Sequence, residues 1–208
     1  MRIDAISDKP DRAGRYRLSL SDGTILRLYP QTVADFGLFS GRELSQQEWE
    51  SLNREAGSMS ARMRSVRIVS ASAVSSRDLT RRLVQKGERP EDARQAVAWM
   101  EDLGLVDDRE TAKQVVARGL SRGYGKNRLR QMLYEKQIPQ ELWEEALEEL
   151  PEPDEDIRRF LEKRLASDAG PKETKKAVDA LMRRGFSWQD IRRVLSARDW
   201  DSEGEPEE

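Results

Sequence analysis

Hydrophobic and polar residues alternate from Tyr16 to Leu28. Tyr16, Leu18 and Leu20 precede Asp22-Gly23, and Thr24, Leu26 and Leu28 come after it. A period of two places the apolar set on one face of a strand, and Asp-Gly between two such runs supplies the positive φ angles of a type I′ turn. The spacing predicts a β-hairpin over 15–29. Two strands alone are marginal in water, so the hairpin is expected to pack on neighbouring helices. Further on the period lengthens. Ser45-Gln-Gln-Glu48 is a capping box at the start of a helix carrying Trp49 and Leu52, and Gly57-Ser58 is the expected boundary between this N-terminal segment and the helices after it.

The remaining pattern is organised around 103–112, Leu-Gly-Leu-Val-Asp-Asp-Arg-Glu-Thr-Ala. Ala93, Ala96, Val97 and Met100 form one apolar stripe, which Gly104 can end by taking a left-handed conformation. Asp107 is placed to accept the free amides of the next helix, with Glu110 reaching back. Ala112, Val115, Val116 and Leu120 then form the next stripe.

Comparable helices recur on both sides of this joint. Leu79, Leu83 and Lys86-Gly87 are matched by Leu129, Leu133 and Lys136-Gln137, then by Ala177, Leu181 and Arg184-Gly185, at offsets of 50 and 48 residues. Ungapped continuation aligns Ala93, Trp143 and Ile191, then Ala96, Ala146 and Val194, then Val97, Leu147 and Leu195. Each copy also has a preceding helix, around Met63 to Val69, Ala112 to Leu120 and Ile157 to Leu165. Ser75 and Ser187 stand three residues before Asp78 and Asp190 as caps, and Pro90 and Pro139 suit first turns. A period near 50 built of three helices implies units that bury apolar faces partly against one another. The expected fold is mainly α: tandem three-helix repeats in an elongated, curved array with a small N-terminal β-hairpin. The expected division is 1–57 for the hairpin and its helices, 58–104, 105–151 and 152–198 for the repeats, and 199–208 for an acidic, disordered tail.

These residues carry a resemblance to the RecX family of bacterial recombinase regulators, over roughly Met59 to Arg198. Leu105-Val-Asp107-Asp108-x-x-Thr111-Ala112 resembles the family's Tyr-Leu-Asp-Asp-x-x-Tyr-Ala joint. Ser75 to Gly87 is similar to its Ser-x-x-Glu-Leu-x-x-Lys-Leu-x-x-Lys-Gly helix, and Arg183-Arg-Gly-Phe186 to its last turn. Leu105 and Thr111 stand where the family usually has tyrosines, and Gln137 where it usually has glycine. The resemblance implies a curved, all-helical body that binds RecA nucleoprotein filaments. It also implies modulation, usually inhibition, of strand exchange and of RecA's ATP hydrolysis, in the setting of homologous recombination, DNA repair and the SOS response. The family brings no catalytic motif.

Composition narrows the chemistry. Hydrophobic and charged residues each make up 37% of the chain, which has no histidine and no cysteine. The commonest near-neutral proton shuttle is missing, as are disulfides, thiolate chemistry and metal sites built on His or Cys. No apolar run approaches the roughly 18 residues of a membrane span, and the N-terminus lacks a signal-peptide pattern. A cytoplasmic, monomeric, non-enzymatic protein is expected, with no catalytic residues, no cofactor, no metal and no membrane contact. Gly123-Tyr-Gly125-Lys126-Asn127 superficially suggests a phosphate loop, but that pattern requires glycine where Leu120 stands and Ser or Thr where Asn127 stands. A flexible connector between two helices is the expected role. Asp107 and Asp108 read as helix caps rather than as an acid–base pair.

The net charge of −2 conceals segregation. Residues 109–136 are strongly basic, every charged residue in 137–157 is acidic, and 158–198 turn basic again. Arg118, Arg122, Lys126, Arg128 and Arg130 surround Tyr124, and Arg183 and Arg184 lie in the last basic turn. Such a cluster suits phosphates or an acidic protein surface, with the aromatic available for stacking, or it coats a solvated helix face. The partner implied by the resemblance is the RecA filament; weak contact to single- or double-stranded DNA is expected besides. Two alternatives stay open: a DNA-binding helical protein acting without a recombinase, and a helical scaffold for another protein.

Overall fold

A computed structural model describes residues 1–166 and 169–202. The elements run β1 (Ile3–Ile6), β2 (Tyr16–Leu20), β3 (Ile25–Leu28), α1 (Pro30–Asp35), α2 (Gln46–Ala71), α3 (Ser76–Gln85), α4 (Pro90–Asp102), α5 (Asp108–Leu120), α6 (Lys126–Glu135), a 3-10 turn (Gln140–Leu142), α7 (Trp143–Leu147), α8 (Asp154–Glu162), α9 (Pro171–Arg183) and α10 (Trp188–Ser202). The fold is mainly helical with one small antiparallel sheet, and it divides into two compact units, Met1–Asp107 and the chain from Asp108 onward.

In the first unit the hairpin forms as the alternation predicts, with Tyr16 opposite Leu28 and Leu18 opposite Leu26. Its turn differs from the expected type I′. Only Gly23 has a positive φ, 85°, while the Gly23 amide donates to the Leu20 carbonyl and Leu20 donates to Thr24. That is a three-residue loop closed by one left-handed glycine, and the Asp22 carboxylate accepts the Thr24 amide at 2.9 Å. A third strand, β1, pairs with β2. It has no alternation to announce it, because the register shifts between Ile3 and Ala5. Ile3, Leu18, Leu20 and Leu28 pack on Leu38, Leu44 and Leu52, so the sheet is covered on one face.

The capping box at Ser45 is formed, with Ser45 Oγ accepting from the Glu48 amide at 3.2 Å and Glu48 accepting from the Ser45 amide at 2.8 Å. The helix it starts does not break at Gly57-Ser58. One continuous α2 serves two cores: Trp49 and Leu52 face the sheet's cluster, and Ala61, Val66 and Val69 belong to the next. Gly57 has a packing role instead. A Cβ there would lie 2.5 Å from Asp92 Oδ2 and 2.8 Å from an Arg89 nitrogen, so the glycine admits the start of α4. Ala61, Leu79, Leu83, Ala93, Ala96 and Met100 fill the core of α2, α3 and α4. Ser75 caps α3 through the Asp78 amide, and Pro90 begins α4.

The second unit holds two further clusters. Ala112, Val115, Val116, Leu129, Leu133, Ile138 and Leu147 join α5, α6 and α7. Ile157, Leu161, Ala177, Leu181, Phe186, Ile191 and Val194 join α8, α9 and α10. The leading aligned positions share an environment: Leu79, Leu129 and Ala177 are buried, as are Leu83, Leu133 and Leu181, whereas Trp143 and Ala146 are half-buried where Ala93, Ala96, Ile191 and Val194 are buried. α5 starts one residue after Asp107, and Gly104 has φ +66°. The third helix of the middle copy is short. Pro139 precedes the 3-10 turn, Trp143 donates Nε1–H to the Ile138 carbonyl at 3.0 Å, and Pro151 and Pro153 come after α7. α8 ends at Glu162, so Leu165 fills its core from beyond the helix. α10 continues to Ser202, into the segment expected to be a disordered tail; the rest of that segment, 203–208, lies outside the described residues.

Candidate functional site

The basic cluster of the sequence is built where α5 gives way to α6. α5 closes at Leu120, and the connector is not the flexible one expected. Gly125 donates its amide to the Arg184 carbonyl at 2.9 Å, and Asn127 donates to Gly185 at 3.1 Å, so the segment that resembles a phosphate loop spends its amides on the turn after α9. α6 then starts with its apolar face, Leu129 and Leu133, in the core. Its remaining faces carry the charges.

The structure brings four of the expected residues together. Arg118, in the last turn of α5, and Arg122, just beyond it, are exposed, and with half-buried Tyr124 and Arg128 they line a concavity of about 220 Å³. The Arg128 guanidinium carbon lies 5.9 Å from the Tyr124 ring centroid, within cation–π range, and Arg128 pairs with Glu135 at 3.3 Å. Among the described residues no carboxylate forms an ion pair with Arg118 or Arg122. An anionic group arriving here would meet two cations not yet neutralised by the protein.

The other expected residues lie elsewhere. Lys126 lines a separate recess of about 360 Å³ together with Glu148, Glu152, Asp156 and Asp190, whose carboxylates oppose its charge. Arg130 pairs with Glu144 at 2.8 Å. Arg183 is exposed at the last residue of α9. Arg184 is half-buried, with its guanidinium 5.0 Å from the Phe160 centroid and directed at the carbonyls of Arg122 and Gly123 at 3.4 and 3.5 Å. It ties the last repeat to the connector.

Sequence reasoning missed two contributors. Lys136 lines the same concavity, and the signal was present, since it is the basic residue that recurs as Lys86 and Arg184. Two residues earlier stand Val84, Tyr134 and Met182, related by the same offsets of 50 and 48. All three are exposed, Tyr134 to 71%. A large apolar side chain kept in water at one repeat position in every copy is what a protein interface would use as an anchor. Among the described residues no cluster of His, Cys, Asp or Glu could hold a metal ion, and no helix is long and apolar enough to cross a membrane.

Comparison with known proteins agrees with this architecture. Residues 107–147 match the family described as RecX, second three-helix domain, and residues 152–195 match RecX, third three-helix domain. A regulatory protein RecX from Chromohalobacter salexigens is 31% identical over 139 residues, covering 66% of this chain and 91% of that protein. One from Stenotrophomonas maltophilia is 32% identical over 123 residues, covering 58% and 76%. The crystal structure of a regulatory protein RecX superposes with a TM-score of 0.67 at 20% identity, covering 94% of this chain and 98% of that one. RecX from Lactobacillus salivarius gives 0.63 at 17% identity, covering 69% and 97%. With its helical sets, its cores and these matches, the chain belongs to the RecX family of regulatory proteins.

Proposed function

We propose that this protein binds the RecA nucleoprotein filament and lowers the rates of its strand exchange and ATP hydrolysis, acting as a non-enzymatic cytoplasmic monomer. The observation that carries the reading is the concavity of Arg118, Arg122, Arg128 and Lys136 around Tyr124, with exposed Tyr134 carried on the same helix as Arg128. A concentration of positive charge steers a polyanionic partner, and an exposed tyrosine supplies the apolar contact that charge alone does not. The working division is one N-terminal segment (1–57) and three helical repeats (58–104, 105–151 and 152–198), supported by four separate hydrophobic clusters.

The test is RecA's DNA-dependent ATP hydrolysis as the protein is titrated in. Hydrolysis should fall with the unaltered protein and stay high with Arg118→Glu and Arg122→Glu combined. A titration that leaves hydrolysis untouched at saturating protein contradicts the proposal. Arg130 is left out of the variant because its charge is already held by Glu144.

A further inference from the structure

The first unit has a cationic groove of its own. Arg15, beside the hairpin, faces Arg64 and Arg67 of α2 and Arg82 and Lys86 at the end of α3, with Tyr29 at the wall, around a volume of about 410 Å³. Among the described residues no carboxylate lines it. The carboxylates that pair with these arginines hold them from outside the groove: Asp11 holds Arg15 at 2.9 Å, Glu88 holds Arg64 at 2.8 Å, and Asp78 holds Arg82 at 2.7 Å. Arg64 also donates to the Lys86 carbonyl and Arg67 to the Ala13 carbonyl, both at 2.6 Å. Among the described residues, neither Arg67 nor Lys86 has an ion-pair partner. The groove is therefore preorganised and carries excess positive charge.

The position is not arbitrary. Ser72, Arg82 and Lys86 line this groove, and the repeat offset of 50 converts them into Arg122, Met132 and Lys136, which line the concavity of the second unit. The fold builds a cationic recess twice between the ends of the first and second helices of a repeat. In the first unit the loop before β2 closes it, through Arg15 and the Ala13 carbonyl.

We propose that this groove binds the phosphodiester backbone of a nucleic acid. The linings separate this ligand from an acidic protein segment. A protein partner draws its affinity from desolvated apolar anchors, and among the described residues none of the exposed large hydrophobics lines the groove. A phosphate backbone needs only positioned cations, and guanidinium forks fixed from behind match its paired oxygens. The N-terminal sheet thereby gains a role, because it supports the loop that completes the site.

The experiment uses the full chain without RecA, so its outcome is independent of the filament reading. Fluorescence polarisation of labelled single-stranded and duplex oligodeoxynucleotides is measured across a sodium chloride series. Lys86→Ala removes a side chain with no ion-pair partner among the described residues and should leave the fold intact; Arg67→Ala with Lys86→Ala removes two contacts, with circular dichroism as the control for folding. The double variant should lower the slope of log K against log salt by about 1.4 on single strands, or about 0.7 per contact, and weaken binding about tenfold near physiological salt. The single variant should show about half that change in slope. Unchanged slopes and affinities in both variants overturn the assignment, as does polyglutamate displacing the oligonucleotide at equal charge concentration.

Discussion

Gly125 and Gly185 meet backbone to backbone. A Cβ added to Gly125 would lie 2.6 Å from the Gly185 carbonyl oxygen, and one added to Gly185 would lie 2.2 Å from the Arg128 amide nitrogen. Two hydrogen bonds cross at this point, Gly125 to Arg184 and Asn127 to Gly185. The middle and last helical sets of the second unit are thus joined where neither turn has a side chain, and the glycines of the loop-like motif are explained by packing rather than by phosphate.

Gly185→Ala should therefore be among the most disruptive substitutions in the chain. Gly185 has φ +90°, and the new methyl group would collide with backbone rather than with a side chain that can move. A loss of about 2–4 kcal/mol is expected from backbone strain and overpacking together. Gly87→Ala is the matched control, with φ +91° and nothing within 4 Å of the added Cβ, so it carries the strain alone. Urea unfolding should place Gly185→Ala clearly below Gly87→Ala; equal midpoints would show that the contact contributes nothing.

Gln137 has the opposite problem. It occupies the turn position of Gly87 and Gly185 with φ +55°, the only non-glycine among the described residues in the left-handed region. Holding a Cβ there costs about 1–2 kcal/mol, partly offset by the greater chain entropy glycine loses on folding. Gln137→Gly should stabilise the protein by about 0.5–1 kcal/mol. The shift in the unfolding midpoint checks it, and a lowered midpoint would mean that the glutamine side chain supplies compensating contacts.

Tyr134 should matter to partner binding and not to folding. Its side chain is 71% exposed, so Tyr134→Ala removes little buried surface and should leave stability within about 0.5 kcal/mol of the unaltered protein's. If Tyr134 anchors the filament contact, the same change should weaken it by about 2 kcal/mol, the usual scale of an interface hot spot. Co-sedimentation with RecA filaments measures this directly. Retained affinity would assign the contact to the basic cluster alone.

Much of the fold was legible because periodicity reports burial. Leu83, Leu133 and Leu181 recur at fixed offsets, and all three are fully buried. Caps at Ser45 and Ser75 were legible for the same local reason. Strand β1 was not, since a register shift removes its alternation, and neither was the continuity of α2, because Gly57 resembles a break and acts as a contact. The site was half legible. Charge segregation pointed to the end of α5, but which arginines remain available depends on partners distant in sequence. Arg130 is matched by Glu144, and Arg184 is turned toward Phe160 and the connector carbonyls. Lys86 was legible only as a repeat position, and neither it nor Arg67 could be placed in a groove that is closed by a loop more than fifty residues away, with Arg67 bonded to Ala13.

Acid should reveal Asp78. Burial pushes its carboxyl pKa up, but hydrogen bonds from Arg81 and Arg82 outweigh burial and hold it below its ordinary 3.8. The unfolded chain then takes up the proton more readily than the folded one, so the stability contributed by Asp78 is complete above the unfolded value. It is lost as pH falls through 3.8 toward the lower folded value. Asp11, Asp22, Glu48 and Asp154 are depressed in the same direction, chiefly by hydrogen bonds to the Arg15, Thr24 and Ser45 amides and to the Arg193 side chain, and add to the acid slope. Asp78→Asn keeps the shape and removes the charge. Because Arg81 and Arg82 remain substantially exposed and return to water, the cost at neutral pH should be about 1–2 kcal/mol rather than that of breaking a fully buried pair. The variant should be less stable than the unaltered protein near pH 7, and the gap should narrow steadily below about pH 4 as Asp78 itself becomes protonated. Thermal midpoints across that range test the sign, and a gap that widened in acid would place the folded pKa above the unfolded one.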